Sequence, residues 1–112
     1  MTTKSSNLIQ KLYAYLESER IVFSDQRKKL RFEYAIHSAI HLFPTAKISV
    51  HSDAIHFGCI FFTIEDNVLD IVNTCMFSDI IRDADFIEFY SNKSHNSCIA
   101  LYYKNVLSYK KP

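Results

Sequence analysis

The chain has 112 residues, 48% of them hydrophobic and 22% charged, with a formal net charge of +1. That length suits one domain able to bury roughly two-thirds of its unfolded surface, and that apolar share excludes a disordered chain. One glycine (Gly58) and two prolines (Pro44, Pro112) leave no low-complexity linker and no compositional break, so residues 1–112 read as a single domain without repeats.

In chain order, Leu8, Ile9, Leu12, Tyr13 and Leu16 recur at helical spacing behind the capping candidates Ser5, Ser6 and Asn7. They predict an amphipathic helix over about 7–20, with Lys11, Glu17 and Ser18 on its polar face. The Ser24-Asp25 pair is an N-cap signal, and Pro44 is a stop, so a second helix is expected over about 25–43. From Ala46 onward the pattern changes to short runs rich in β-branched and aromatic residues: 46–49, 54–64, 68–72, 85–91 and 98–103. The run 55–64 is apolar on both parities, as in a central strand covered on both faces. Residues 77–82 read as one helical turn between strands. Residues 51–53 and 92–96 read as hairpin loops, giving an antiparallel meander over about 46–104. The expected fold is α+β: two N-terminal helices on one face of a mainly antiparallel sheet of about five strands.

The polar N-terminus and the lack of an apolar run of about 20 residues give no expectation of secretion or of a membrane span. Cys59, Cys75 and Cys98 are odd in number and show no C-x-x-C spacing, so free thiols in a reducing cytoplasm are expected.

Charge is segregated along the chain. Residues 1–47 carry eight Lys/Arg and four Asp/Glu, residues 48–92 carry Arg82 alone against eight acids, and residues 93–112 carry four lysines and no acid. The acidic middle, through Asp66, Asp70, Asp79, Asp83 and Asp85, is a candidate surface for steering a basic partner; the bland alternative is that these acids pair with the basic helices. The basic cluster at 27–31 is a possible nucleic-acid footprint, but a pI of 7.7 and the acidic segment count against it, and a solvated helix face is the simpler account.

His37 and His41 lie one turn apart, close enough to share a metal ion, yet Ser38 stands where a hydrolytic zinc helix carries glutamate and no third ligand is evident. Phe32, Ala35, Ile36, Ala39, Ile40, Leu42 and Phe43 form the core arc of the second helix, which leaves Leu30, Tyr34, His37 and His41 as a stripe on the far side. Helix one covering that stripe is the simpler packing. The alternative makes Tyr34, His37 and His41 partner-binding residues.

Asp83, Asp85 and Glu88 lack the lysine that a carboxylate nuclease sets two residues after its glutamate, since Tyr90 is there. No glycine-rich phosphate loop, dinucleotide fingerprint or nucleophile elbow exists. No catalytic residue, metal or cofactor is therefore expected. Tyr102, Tyr103 and Tyr109 near the basic tail suit base stacking on an open sheet face, although core packing accounts for them more cheaply.

In general character the chain resembles bacterial immunity proteins and other stoichiometric inhibitors, which need a surface rather than an active site. That resemblance implies a protein-binding module, and the acidic segment rimmed by Tyr and His would suit a basic, nuclease-type toxin as its partner. The alternatives are a self-associating subunit or chaperone-like adaptor, homodimeric through its sheet edge or the stripe of Leu30, Tyr34, His37 and His41, and a nucleic-acid-binding regulator using the basic second helix.

Overall fold

A computed structural model describes the backbone of residues 4–53, 58–67, 69 and 71–110, and the side chains of all of these except 4–6 and 71. In chain order the elements are α1 (Lys4–Ser18), β1 (Ile21–Phe23), α2 (Gln26–Leu42), β2 (Lys47–Asp53), β3 (Cys59–Asp66), α3 (Ile71–Met76), α4 (Ser78–Arg82), β4 (Phe86–Ser91), β5 (Ser97–Tyr103) and β6 (Leu107–Tyr109). The fold is α+β, with the long helices N-terminal and every described strand pairing antiparallel. None of the described helices is long and apolar enough to cross a membrane.

The two long helices form where the periodicity places them. α2 starts after Asp25, whose carboxylate accepts the Lys28 N–H at 3.1 Å, and stops at Phe43, whose N–H bonds the Ala39 carbonyl. α1 begins at Lys4, so Ser5, Ser6 and Asn7 lie inside its first turn rather than capping it. It ends at Ser18, and Arg20 follows in the left-handed region at φ 58°, turning the chain into β1.

Four strands form the main sheet in the order β2-β3-β5-β4, and β1 pairs with β6 in a separate ribbon. The second half is therefore not a meander. Two hairpins, β2–β3 and β4–β5, are joined by a crossover that sets β5 beside β3 and leaves β4 at the edge. Of the expected strand at 68–72, residues 68 and 70 lie outside the described residues, and Ile71 and Val72 belong to a helix instead, because this connection has to cross to the far side of β5 at the level of the helices. Residues from Ile71 onward form α3, where the Asn73 side chain donates to the Leu42 carbonyl at the end of α2 and Phe77, just beyond, is fully buried. The expected loop at 51–53 is strand instead: the β2–β3 ladder continues through Asp53 opposite Cys59. Residues 54–57, the first part of the expected central strand, lie outside the described residues. β1 and β6, three residues each, had no signal of their own. The loop at 92–96 forms as expected, with the Asn92 carboxamide oxygen accepting N–H bonds from Ser94 and Asn96.

The core lies on one face of the sheet. Ile48 of β2, Ile60, Phe62 and Ile64 of β3, and Ile99, Leu101 and Tyr103 of β5 meet Ile9, Leu12 and Leu16 of α1 and Phe32, Ala35, Ile36 and Ala39 of α2. Phe32 packs edge-on against both Phe62 and Tyr103, at centroid separations of 5.9 and 5.5 Å. Cys59 and Cys98 are buried free thiols and Cys75 is exposed.

Gly58, the one glycine, sits at φ 56°. Its carbonyl accepts both the Val106 and Leu107 N–H groups, and a Cβ there would stand 2.4 Å from the Leu107 carbonyl oxygen. This backbone contact joins the β1–β6 ribbon to the start of β3, and only glycine permits so close an approach.

Ile36 has no exposed surface, whereas Tyr34 is 63% exposed. Ile36→Ala is expected to cost about 2–5 kcal/mol in urea melts, as a buried aliphatic truncation does. Tyr34→Ala should stay within about 0.5 kcal/mol. The Tyr103 hydroxyl is buried with no hydrogen-bond partner among the described residues. Tyr103→Phe is accordingly expected to be neutral or stabilising by up to about 1–2 kcal/mol in the same melts.

Candidate interaction surfaces

α2 presents its outer stripe to solvent. Leu30 and Tyr34 are each 63% exposed, and His37 and His41 are exposed as well. The expectation that helix one covers this stripe is overturned: α1 packs along the opposite flank of α2, where the Tyr13 hydroxyl donates to the Glu33 carboxylate and Lys29 lies 5.2 Å from the ring centroids of both Tyr13 and Phe23. Burial and the Glu33 carboxylate push the Tyr13 phenol far above its ordinary value, so Tyr13 remains the donor.

The crossover helices lie on the free side of α2. Tyr34, His37 and His41 of α2 meet Met76 of α3 and Asp79 of α4 along a groove of about 400 Å³. Part of the apolar stripe and part of the acidic segment, far apart in sequence, thus share one surface. Asp79 pairs with Arg82 at 3.3 Å, but both side chains are more than three-quarters exposed, so the pair adds little and leaves Asp79 accessible to a partner. Asp83, also exposed, closes α4 one turn further on.

The other expected site residues lie elsewhere. Asp66 ends β3, accepting from the Thr45 hydroxyl at 3.2 Å and from the Asn67 N–H at 2.7 Å. Asp85 is held within the chain: its Oδ2 lies 2.9 Å from Lys28 Nζ and accepts the Lys104 N–H at 2.8 Å, while Lys28 also donates to the Lys104 carbonyl at 2.7 Å. This clamp ties the first turn of α2 to the end of β5. Asp70 lies outside the described residues. The acidic segment therefore does not form one continuous patch, because some of its carboxylates organise turns and element ends.

Sequence reasoning missed the sheet face opposite the core. There the register aligns His51, Phe61, Tyr102 and Phe86, one from each strand, into a ladder of rings. Centroids are 4.9 Å apart for His51–Phe61, 4.7 Å for Phe61–Tyr102 and 5.5 Å for Tyr102–Phe86, with Lys104 Nζ 5.3 Å from the Phe86 centroid. Burial pushes the His51 imidazole below its ordinary pKa, which keeps it neutral at physiological pH. The adjacent tyrosines part company, Tyr103 entering the core and Tyr102 standing half-buried in the ladder on the outer face. Period-2 alternation could have separated them, but the cross-strand alignment that makes a ladder is not local information.

Among the described residues, no group of three or more His, Cys, Asp or Glu side chains stands together to hold a metal ion. No protein-family model matches the chain, and no similar curated protein or solved structure was found.

The Asp85 clamp has a pH signature. Burial alone would raise the Asp85 carboxyl, but the Lys28 and Lys104 hydrogen bonds outweigh it and hold the group below its ordinary value. A carboxyl depressed on folding contributes stability above its unfolded pKa of about 3.9 and loses it as pH falls through the folded value. Urea melts between neutral pH and about pH 3 should therefore show a smaller acid-induced loss for Asp85→Asn than for the parent chain.

Proposed function

We propose that this chain is a protein-binding module that docks a basic partner in the groove between α2 and α4, acting as a stoichiometric inhibitor in the manner of a bacterial immunity protein. The observation that carries the reading is the convergence of Tyr34, His37 and His41 with Met76 and Asp79. Exposed aromatic and thioether side chains supply area that is favourable to desolvate, and a neighbouring carboxylate supplies orientation and encounter rate. The stripe is open to solvent, so a partner can reach it without rearrangement of α1.

The nucleic-acid alternative loses support from the disposition of the basic cluster. Lys28 is engaged with Asp85 and the Lys104 carbonyl, and Lys29 lies over two rings on the α1 flank, so the four cations do not line one phosphate-tracking face.

Where a toxin-like reading frame adjoins the gene, its product is the partner for the test. Stopped-flow association at low salt is expected to slow about tenfold for the double variant Asp79→Lys with Asp83→Lys, dissociation changing little. Tyr34→Ala is expected to act chiefly on dissociation. Binding kinetics unmoved by either variant, in chains that melt like the parent, would remove the groove as the docking surface.

A further inference from the structure

β4 borders the sheet, and among the described residues β5 is its only strand neighbour. Five of its six residues are exposed, Phe86 by 48%, Phe89 by 64% and Tyr90 by 40%. An edge strand presents backbone N–H and C=O groups in position to pair with another chain, and proteins usually blunt such edges with lysine, proline or a bulge. The sequence Phe-Ile-Glu-Phe-Tyr-Ser has neither lysine nor proline, and its register with β5 runs without interruption from Phe86 to Ser91. Its one charge is Glu88, exposed and without an ion-pair partner among the described residues.

The surroundings of Glu88 are specific. On the face of the aromatic ladder it stands between Phe86 and Tyr90 along β4 and opposite Ala100, with Tyr102 diagonal to it. Burial raises the Tyr90 and Tyr102 phenols, with the neighbouring Cys98 thiol adding to it at Tyr90 and the Glu88 charge at Tyr102, so both rings stay neutral beside the carboxylate. Phe86 already takes a cation on its ring, from Lys104. On the other face, Phe89 borders a hollow of about 460 Å³ with Leu69, Thr74, Cys75 and Ile99.

The geometry points to β4 as the docking edge for an extended segment of a partner protein, with an arginine opposite Glu88 and an apolar residue next to it entering the hollow beside Phe89. A strand added antiparallel to β4 would alternate its side chains between the two faces, so an apolar–arginine–apolar run fits carboxylate and hollow together. A guanidinium suits the site better than an ammonium, because its planar fork bonds a carboxylate at two points while its face rests on aromatic rings. Phosphate is repelled by the same carboxylate. A second copy of this chain is disfavoured too: of the two symmetric antiparallel registers that cover five of the six β4 residues, one sets Glu88 against Glu88 and the other sets it against Tyr90, so neither gives the carboxylate a cation. This edge goes beyond the α2–α4 groove and does not use Tyr34.

The probe is the blocked pentapeptide acetyl-Thr-Val-Arg-Val-Thr-amide, titrated into the ¹⁵N-labelled chain. Amide shifts and slowed exchange are expected along residues 86–91, with affinity lowered about fivefold or more in Glu88→Gln and unchanged in Tyr34→Ala. Glu88→Lys should reject this peptide and accept one with glutamate in place of arginine, a rescue that a misfolded variant could not give. Equal affinity in Glu88→Gln, β4 shifts that follow protein concentration without peptide, or a response to single-stranded oligonucleotide in place of peptide would each overturn the proposal.

Discussion

Ile60, Phe62 and Ile64 of β3 lie opposite Tyr103, Leu101 and Ile99 of β5, and on this register the two faces of the molecule depend. All six side chains are fully buried beneath the helices, while Phe61 and Tyr102, between them on their strands, point the other way. Because side-chain direction alternates with a period of two, a slip of one residue would push the aromatic ladder into the core and core residues into water. At about 1.5–3 kcal/mol for each of the six side chains, the burial at stake rivals the whole stability of an ordinary domain, so the register is fixed by burial. The ring ladder then follows from the core rather than from any attraction among its own members.

Charge has a structural as well as a surface role. The sequence segregates acids into residues 48–92, and the fold uses part of that segregation to join distant pieces: Asp85 to Lys28 across the end of the sheet, Asp66 to Thr45, and Glu65 to the carboxamides of Asn92 and Asn96. Each is a contact between turns or element ends, where backbone and side-chain polar groups lack regular partners and a carboxylate can satisfy several at once. Asp79, Asp83 and Glu88 are different. They stand on or beside α4 and β4, elements with little surface in the core, and their charge remains in water where a partner can meet it.

How much of this was legible in the sequence depends on the range of the interaction concerned. The apolar arc of α2 was legible because helical periodicity is local, and Phe32, Ala35, Ile36 and Ala39 are fully buried where that arc places them. The stripe of Leu30, Tyr34, His37 and His41 was legible as a stripe, but which neighbour flanks it was not. That depends on Lys29 and Glu33 drawing α1 to the other side, a contact twenty residues apart in sequence between Tyr13 and Glu33. Ile71 and Val72 read as strand because β-branched residues suit either state in so short a run, and the crossover geometry decides against their propensity. The ribbon of β1 and β6 was invisible for a similar reason: three residues carry no periodicity, and the Gly58 carbonyl that binds Val106 and Leu107 comes from nearly fifty residues away. The ladder of His51, Phe61, Tyr102 and Phe86 needs three pairing registers at once, none of them written in any one strand.

The crossover from β3 to β4 links the two surfaces. A meander would have put β4 beside β3 and buried both its edges, with no helical segment passing α2. By sending residues 71–82 across the helix layer, the chain brings Met76 and Asp79 against Tyr34 and His41, and the same excursion delivers β4 to the outside of the sheet. Asp85, at the junction between α4 and β4, is then clamped by Lys28 and Lys104, fixing where the helical excursion ends and the edge strand begins. Groove and edge are consequences of one topological choice. They share no residue, so a substitution in the lining of one leaves the side chains of the other in place.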